Sequence, residues 1–288
     1  MAGSRTLAYA AAVLLTAAVA ACTAAPAAPP LPTETVPRLG GADSVAAAAT
    51  VAEIEGIAPA LFRTGSFRSG VGPDIQYRLL PPPEVVPGRS YPLVVVFHGA
   101  GEIGTDNLTH LDRFPKTWAR PEVRERYPAF VLAPQMPERS ALYNGPADTP
   151  DRHSRPGPPL YTALALIDSL RGALPVDPER IYAVGFSMGA STTWNALALR
   201  PDLFAAAVPI AGVPNPEAVD RVARTPVWVV HGTADTANPI GPDRSMVEDL
   251  RRLGAEVRFW EVDGLWHAVP PRLLAGTELM EWLFTHRR

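Results

Sequence analysis

Ser187 stands between two glycines in "RIYAVGFSMGAS", a G-x-S-x-G spacing that can turn a serine into a nucleophile. A run of β-branched and aromatic residues leads into it and a helix-like stretch leads away. A sharp strand-to-helix turn would lift the Ser187 hydroxyl above the sheet edge, and Gly185 and Gly189 leave room where side chains would collide. The same turn sets the Met188 N–H at a helix N-terminus, where an unpaired donor can receive a developing oxyanion. The other common use of a serine at such a position is as a helix cap.

A serine hydroxyl attacks only when a base takes its proton and an acid orients that base. On an open parallel sheet these partners follow in the chain order serine, acid, histidine, on loops at the carboxyl edge. Of the six histidines, His267 and His286 follow Ser187 with a strand-end acid between. His267 lies in "VDGLWHAVP", a loop after the strand-like "EVRFWEV", and is the expected base; His286 sits in a charged tail and is expected to be solvated. The acid expected to partner His267 is Asp235, on the loop after the buried strand of "TPVWVVHGTADTANP". Asp263 is too near His267 in sequence to reach around the ring, and Asp202 and Glu217 flank the preceding strand. His231 reads as a strand-end histidine satisfied by backbone.

The second oxyanion donor should come from the glycine-rich turn of "VVVFHGAGEIGTDN". The Ala100 N–H is the first choice and Gly101 the alternative. His98 would order that loop, and Glu102 would either orient it or face solvent. Phe186, Trp266, Gly101 and Glu102 are candidate pocket residues, with ordinary packing the competing use for the aromatic pair. Trp194 reads as helix core.

These positions need a rigid sheet beneath them. "YPLVVVFHGAG", "AFVLAPQ", "RIYAVGF", "AAAVPIAG", "TPVWVVHG" and "EVRFWEV" read as strands, preceded by an antiparallel pair from "LFRTGSFRSG" and "DIQYRLLPPP". Helical stretches alternate with them, the signature of a mostly parallel sheet covered on both faces. About eight strands are expected. The catalytic domain is expected over residues 61–288, preceded by an Ala/Pro-rich tether over 23–60 in which "VAAAATVAEIEGIAPALF" has weak helical spacing.

Residues 1–22 read as an export signal: Arg5, then an apolar run from Leu7 to Ala21 that is short for a membrane span. Cys22 is the only cysteine, which excludes an intrachain disulfide. "VAAC" resembles a bacterial lipobox, so Cys22 is the expected lipidation site and the only expected membrane attachment. The protein would then be exported and anchored on the outer face of the cell membrane, or secreted if the lipobox is not used. A net charge of -3 offers no basic surface for nucleic acid, and no metal-ligand or cofactor motif is present, so no cofactor is expected.

Taken together, "YPLVVVFHGAGEIGTDN", "FVLAPQMPE", "DPERIYAVGFSMGASTTWNALALRPDLFAAAVPIAG", "PVWVVHGTADTANP" and "GLWHAVP" resemble the α/β-hydrolase-fold serine esterases grouped as predicted peptidases or phospholipase/carboxylesterases, which are related to feruloyl esterases and polyhydroxybutyrate depolymerases. The resemblance runs from about Leu61 to the C-terminus. It implies the α/β-hydrolase fold and a serine carboxylesterase with Ser187, Asp235 and His267 as triad, acting on a small-molecule ester. Two departures bear on substrate: Trp266 precedes His267 where a small residue is usual, and the segment "ERSALYNGPADTPDRHSRPGPP" is polar and Pro-rich. An acyltransferase, a peptidase, or a non-catalytic binding protein on the same fold are the competing readings.

Overall fold

The computed structural model describes residues 1, 32–38, 41–146, 149 and 152–288. Residues 2–22 of the expected export signal, Cys22 among them, lie outside the described residues, as do residues 23–31, 39 and 40 of the expected tether.

The chain opens with β1 (Thr33–Val36), α1 (Gly41–Gly56), β2 (Arg63–Phe67), β3 (Ile75–Leu80) and β4 (Tyr91–Phe97). Two short helices, α2 (Arg113–Thr117) and α3 (Pro121–Arg126), lead to β5 (Phe130–Gln135) and to a small hairpin of β6 (Ala141–Asn144) and β7 (His153–Pro156). Then come α4 (Pro158–Ala173), β8 (Val176–Phe186), α5 (Met188–Leu199), β9 (Ala206–Ile210), α6 (Val219–Val222) and β10 (Val227–Gly232). The chain closes with α7 (Gly241–Arg252), β11 (Val257–Val262), α8 (Pro271–Ala275) and α9 (Glu278–Phe284).

Nine strands form one sheet in the order β1-β11-β10-β9-β8-β4-β5-β3-β2. β2 and β3 run antiparallel, as does β3 against β5, and the other pairs are parallel. Strand alternation divides the core into two layers. On β4, Leu93, Val95 and Phe97 face the layer holding Leu160 and Ile167 of α4, Trp194 of α5 and Met246 of α7. Val94 and Val96 point to the opposite layer, with Ile54 of α1, Phe114 of α2 and Leu279 and Leu283 of α9. Each such side chain taken fully out of water contributes roughly 1.5–3 kcal/mol.

The folded unit begins well before Leu61, against the expected tether. β1 adds a parallel edge strand to β11, pairing Thr33 with Phe259 and Val36 with Val262. Its Glu34 carboxylate binds Arg258 Nε at 2.9 Å and accepts from Trp260 Nε1 at 3.1 Å, and the Asp263 N–H donates to Val36 O at 3.0 Å. α1 packs against α2 and α8 through Ala47 and Ile54, both buried. His286 also departs from expectation. It is pinned between Trp282 O (2.8 Å from Nδ1) and Glu256 Oε1 (2.9 Å from Nε2), with its ring on that of Trp282.

Candidate active site

β8 delivers Ser187 directly into α5, and the residue takes φ 56° and ψ −118° as the helix N-cap. A positive φ strains any residue with a Cβ, by about 1–3 kcal/mol, and persists only where the surroundings enforce it. Here they do. The Ser187 N–H donates to Ile210 O at 2.9 Å, tying the turn to β9, and the Ser191 N–H donates to Ser187 O at 3.1 Å. A methyl at Gly185 would collide with the Gly189 carbonyl, and one at Gly189 with the Phe97 carbonyl. Only glycine lets α5 and β4 approach the turn this closely. The Ser187 side chain makes no capping bond to its own helix.

The hydroxyl is bound instead to histidine. Ser187 Oγ lies 2.7 Å from His267 Nε2, and His267 Nδ1 lies 2.7 Å from Asp235 Oδ2. The carboxylate only accepts, so it fixes the imidazole proton on Nδ1 and leaves Nε2 to accept the Ser187 hydroxyl proton. The Asp235 side chain is fully shielded from solvent, and His267 keeps 21% of its side-chain exposure. Asp235 Oδ1 takes the N–H groups of Ala237 and Asn238, each at 2.9 Å. Burial alone would push this carboxyl up. Hydrogen bonds from His231, His267 and the Asn238 N–H outweigh it and hold Asp235 well below the usual carboxylate range.

The two loops that carry this pair are laced together. The Thr233 N–H donates to Val262 O and the Ala234 N–H to Leu265 O, both at 3.0 Å, while Thr233 Oγ1 accepts from the Gly264 N–H at 2.9 Å. Gly232 lies so close to Leu265 O that a Cβ would strike it. The Phe186 ring packs 4.9 Å from that of His267.

On the other side of Ser187, the turn after β4 approaches so closely that a methyl on Gly99 would lie 3.7 Å from Ser187 Cβ. Ala100–Glu102 form a single 3₁₀ turn whose bonds, Glu102 N–H to Gly99 O and Ile103 N–H to Ala100 O, leave the Ala100 and Gly101 N–H groups outside them. Met188 opens α5, so its N–H likewise precedes the helix's own ladder. His98 holds the turn. Its Nε2 accepts from the Met136 N–H at 2.9 Å, which leaves the proton on Nδ1 to donate to Gly99 O at 2.6 Å. Burial drives His98 down to about 4, so the ring is neutral at ordinary pH. The half-buried Glu102 carboxylate lies against the Gly99 and Glu102 N–H groups. Burial outweighs those bonds and raises it.

A cavity of about 450 Å³ opens beside His267. Phe186 and Trp266 line it, together with Phe114, Leu274 and, from α1, Ala48 and Val51. Gly101 and Glu102 do not line it; they belong to the turn whose Gly99 lies against Ser187. Trp266 is 65% exposed, at the rim. Part of the Pro-rich segment folds into the β6–β7 hairpin, and the hydroxyl of its Tyr143 donates to Ser191 Oγ at 3.3 Å across α5.

Sequence reasoning missed three residues behind the acid: His231, Asn238 and Asp243. His231 does meet a backbone carbonyl, Asn238 O at 2.8 Å from Nε2, but its Nδ1 lies 2.7 Å from Asp243 Oδ2. Asn238 Nδ2 donates to Ala211 O at 2.9 Å, tying the acid loop to the end of β9. The H-G-x-x-D run was visible, but no spacing signals Asp243, one helical turn into α7.

Residues 130–269 match the dienelactone hydrolase family. A solved structure described as a thermostable esterase superposes with a TM-score of 0.71 at 35% identity, covering 80% of this chain and 64% of that one. Among curated proteins, "Putative esterase NocK" of Nocardia uniformis subsp. tsuyamanensis is 36% identical over 96 residues, 33% of this chain and 28% of its own. "Probable inactive carboxylesterase Os04g0669700" of Oryza sativa subsp. japonica is 25% identical over 190 residues, 61% of this chain and 78% of its own. The chain thus spans less than two thirds of the thermostable esterase and less than a third of NocK. The fold is the α/β-hydrolase fold, and the chain's likeness is to its serine-esterase group.

Proposed function

We propose that this α/β-hydrolase-fold chain, similar to the serine esterases, hydrolyses small carboxylic esters through a covalent acyl-serine. The observation that carries the reading is the unbroken line from Ser187 Oγ to His267 Nε2 and from His267 Nδ1 to Asp235 Oδ2, 2.7 Å at each step. An inactive relative has no need to keep a strained serine aimed at an oriented imidazole.

Ser187 Oγ attacks the ester carbonyl as its proton passes to His267 Nε2. The carbonyl oxygen becomes an oxyanion facing the N–H groups of Met188 and Ala100. His267 returns the proton to the departing alkoxide, which leaves as the alcohol, and the acyl group stays on Ser187. Water then attacks the acyl carbonyl with His267 as base, and Ser187 leaves with the proton restored. Asp235 holds the imidazole and stabilises it while it is charged. A cavity of about 450 Å³, walled mostly by apolar side chains with Arg38, Asp112 and Arg113 among them, suits a small or short-chain ester.

The test is labelling by a fluorophosphonate probe, compared between the wild type and Ser187→Ala. Ser187-dependent labelling is expected, and its absence would remove the hydrolase reading. A panel of nitrophenyl esters of rising acyl length, with feruloyl and peptide substrates alongside, should turn over short acyl esters fastest. A clear peptide preference would replace the esterase with a peptidase. Export and lipidation at Cys22 belong to the same proposal.

A further inference from the structure

His231 lies on β10 with the same strand parity as Val227 and Val229, so its ring points into the layer that holds α5 and α7. There it is fully buried and meets only acceptors. Nδ1 faces the Asp243 Oδ2 carboxylate oxygen at 2.7 Å; Nε2 faces the Asn238 carbonyl at 2.8 Å and Asp235 Oδ2 at 3.3 Å. A carbonyl cannot donate, so Nε2 must carry a hydrogen. The contact to Asp243 needs a second proton, shared between ring and carboxylate. The couple therefore holds two protons and is neutral overall, which is how a buried pair avoids an uncompensated charge. Asp243 Oδ1 accepts from Trp194 Nε1 at 3.2 Å, and Asp243 sits in the first turn of α7, where the helix dipole favours a carboxylate.

From this geometry we infer that His231 and Asp243 form a second, non-reacting histidine–aspartate couple that positions the catalytic acid. The His231 Nε2–H donates to Asn238 O, which holds the acid loop, and the ring lies 3.3 Å from Asp235 Oδ2, close enough to withdraw electron density from that carboxylate. This rests on the reading of Ser187, Asp235 and His267 as a triad. The ionisable groups facing Asp235 are His267 from the loop after β11, His231 from β10 and, behind His231, Asp243 from α7. Burial pulls His231 down, but Asp235 and Asp243 outweigh it and raise the ring above the usual imidazole range, while burial also raises Asp243, so the proton between ring and carboxylate is held by the couple as a unit.

The role predicts a difference between two substitutions. In His231→Gln the side-chain amide can place an N–H near the position of Nε2, whereas His231→Asn offers one only near Nδ1. Asp235 freed of its donor makes the imidazole of His267 more basic, so the acidic midpoint of Ser187 phosphonylation should rise. We expect a rise of about one pH unit in His231→Asn, with a roughly tenfold or greater loss of rate, and a midpoint close to that of the wild type in His231→Gln. Equal midpoints in all three proteins would reduce His231 to a packing residue and overturn the inference. Ring-nitrogen NMR of the histidine-labelled wild type reads the couple without any variant or turnover. The Nε2 proton of His231 should persist from about pH 5 to about pH 9, and its loss within that range would also overturn the inference. Failure of the wild type to label at Ser187 removes the triad and this role with it, whatever the NMR shows. A labelling enzyme with unmoved midpoints removes only the couple's role.

Discussion

In the proposed reaction Ser187, His267 and Asp235 divide one proton-transfer task, and Asp235 has two separable duties. Its Oδ1 stitches its own loop through the Ala237 and Asn238 N–H groups, while its Oδ2 accepts from His267. Asp235→Asn tests this division. The amide can keep Oδ1 as the loop acceptor while putting an NH₂ where His267 needs an acceptor, which turns the imidazole to the wrong tautomer. We expect kcat to fall about 10⁴-fold, with KM and thermal midpoint little changed. A matching fall in stability would show that the loop, not the tautomer, was lost. The three residues were legible in the sequence because their chain order and strand-end positions are dictated by the sheet. His231, Asn238 and Asp243 were not, because their meeting depends on how α7 docks over β10, and the stretch from His231 to Asp243 carries no periodic signal. The backbone partner expected for His231 is present in Asn238 O, but Asp243 is not foreseeable for the same reason: a strand position shows which layer a side chain enters, not which polar group waits there.

At the scale of elements, the turn after β4 and helix α1 flank the triad from two sides. The turn depends on neutral buried histidines. Burial holds His98 near 4 and His110 near 3, in His110 aided by the neighbouring His98, against about 6.5 for each in an unfolded chain. Below pH 6.5 the unfolded chain binds protons that the folded chain refuses, so stability is full above that pH and is lost as pH falls toward 4. His98 alone accounts for a loss on the order of 3 kcal/mol over that interval. Thermal melts from pH 7 to pH 4 should show a steep decline, and His98→Gln, though less stable at pH 7, should show a shallower one; parallel slopes would refute the assignment. Helix α1 was the larger surprise. Val51, Ile54 and Ile57 already show weak helical spacing, but an Ala-rich segment after a Pro-rich stretch falls in the expected tether, because the contacts that dock this helix are not readable from its own sequence. It instead supplies Ala48 and Val51 to the cavity wall. Ala48→Phe should therefore fill space beside His267 and lower kcat/KM for a longer-chain nitrophenyl ester at least about tenfold, leaving the acetate ester nearly unchanged. Equal effects on both esters would mean that substrate does not use this wall.

For the whole molecule, the docking of β1 and α1 changes what an N-terminal anchor would do. A domain starting near Leu61 would trail behind a long leash; with Thr33 already paired into the sheet beside Phe259, only the stretch from Cys22 to Thr33 can separate lipid from enzyme. Those eleven residue steps span at most about 40 Å when fully extended, roughly the diameter of a small domain. A diacylated Cys22 would therefore keep the cavity, walled by the helix that follows, within about one domain width of the bilayer. The sequence signal is the lone cysteine after "VAA", and it makes two separable predictions. Mass spectrometry of the mature chain from the membrane fraction should find an acylated N-terminal cysteine. Cys22→Ser should shift the protein out of that fraction, while kcat/KM for a water-soluble nitrophenyl ester stays unchanged. Wild-type protein recovered from the soluble fraction with an unmodified cysteine, or with a later start, would discard the anchor and leave the hydrolase reading intact.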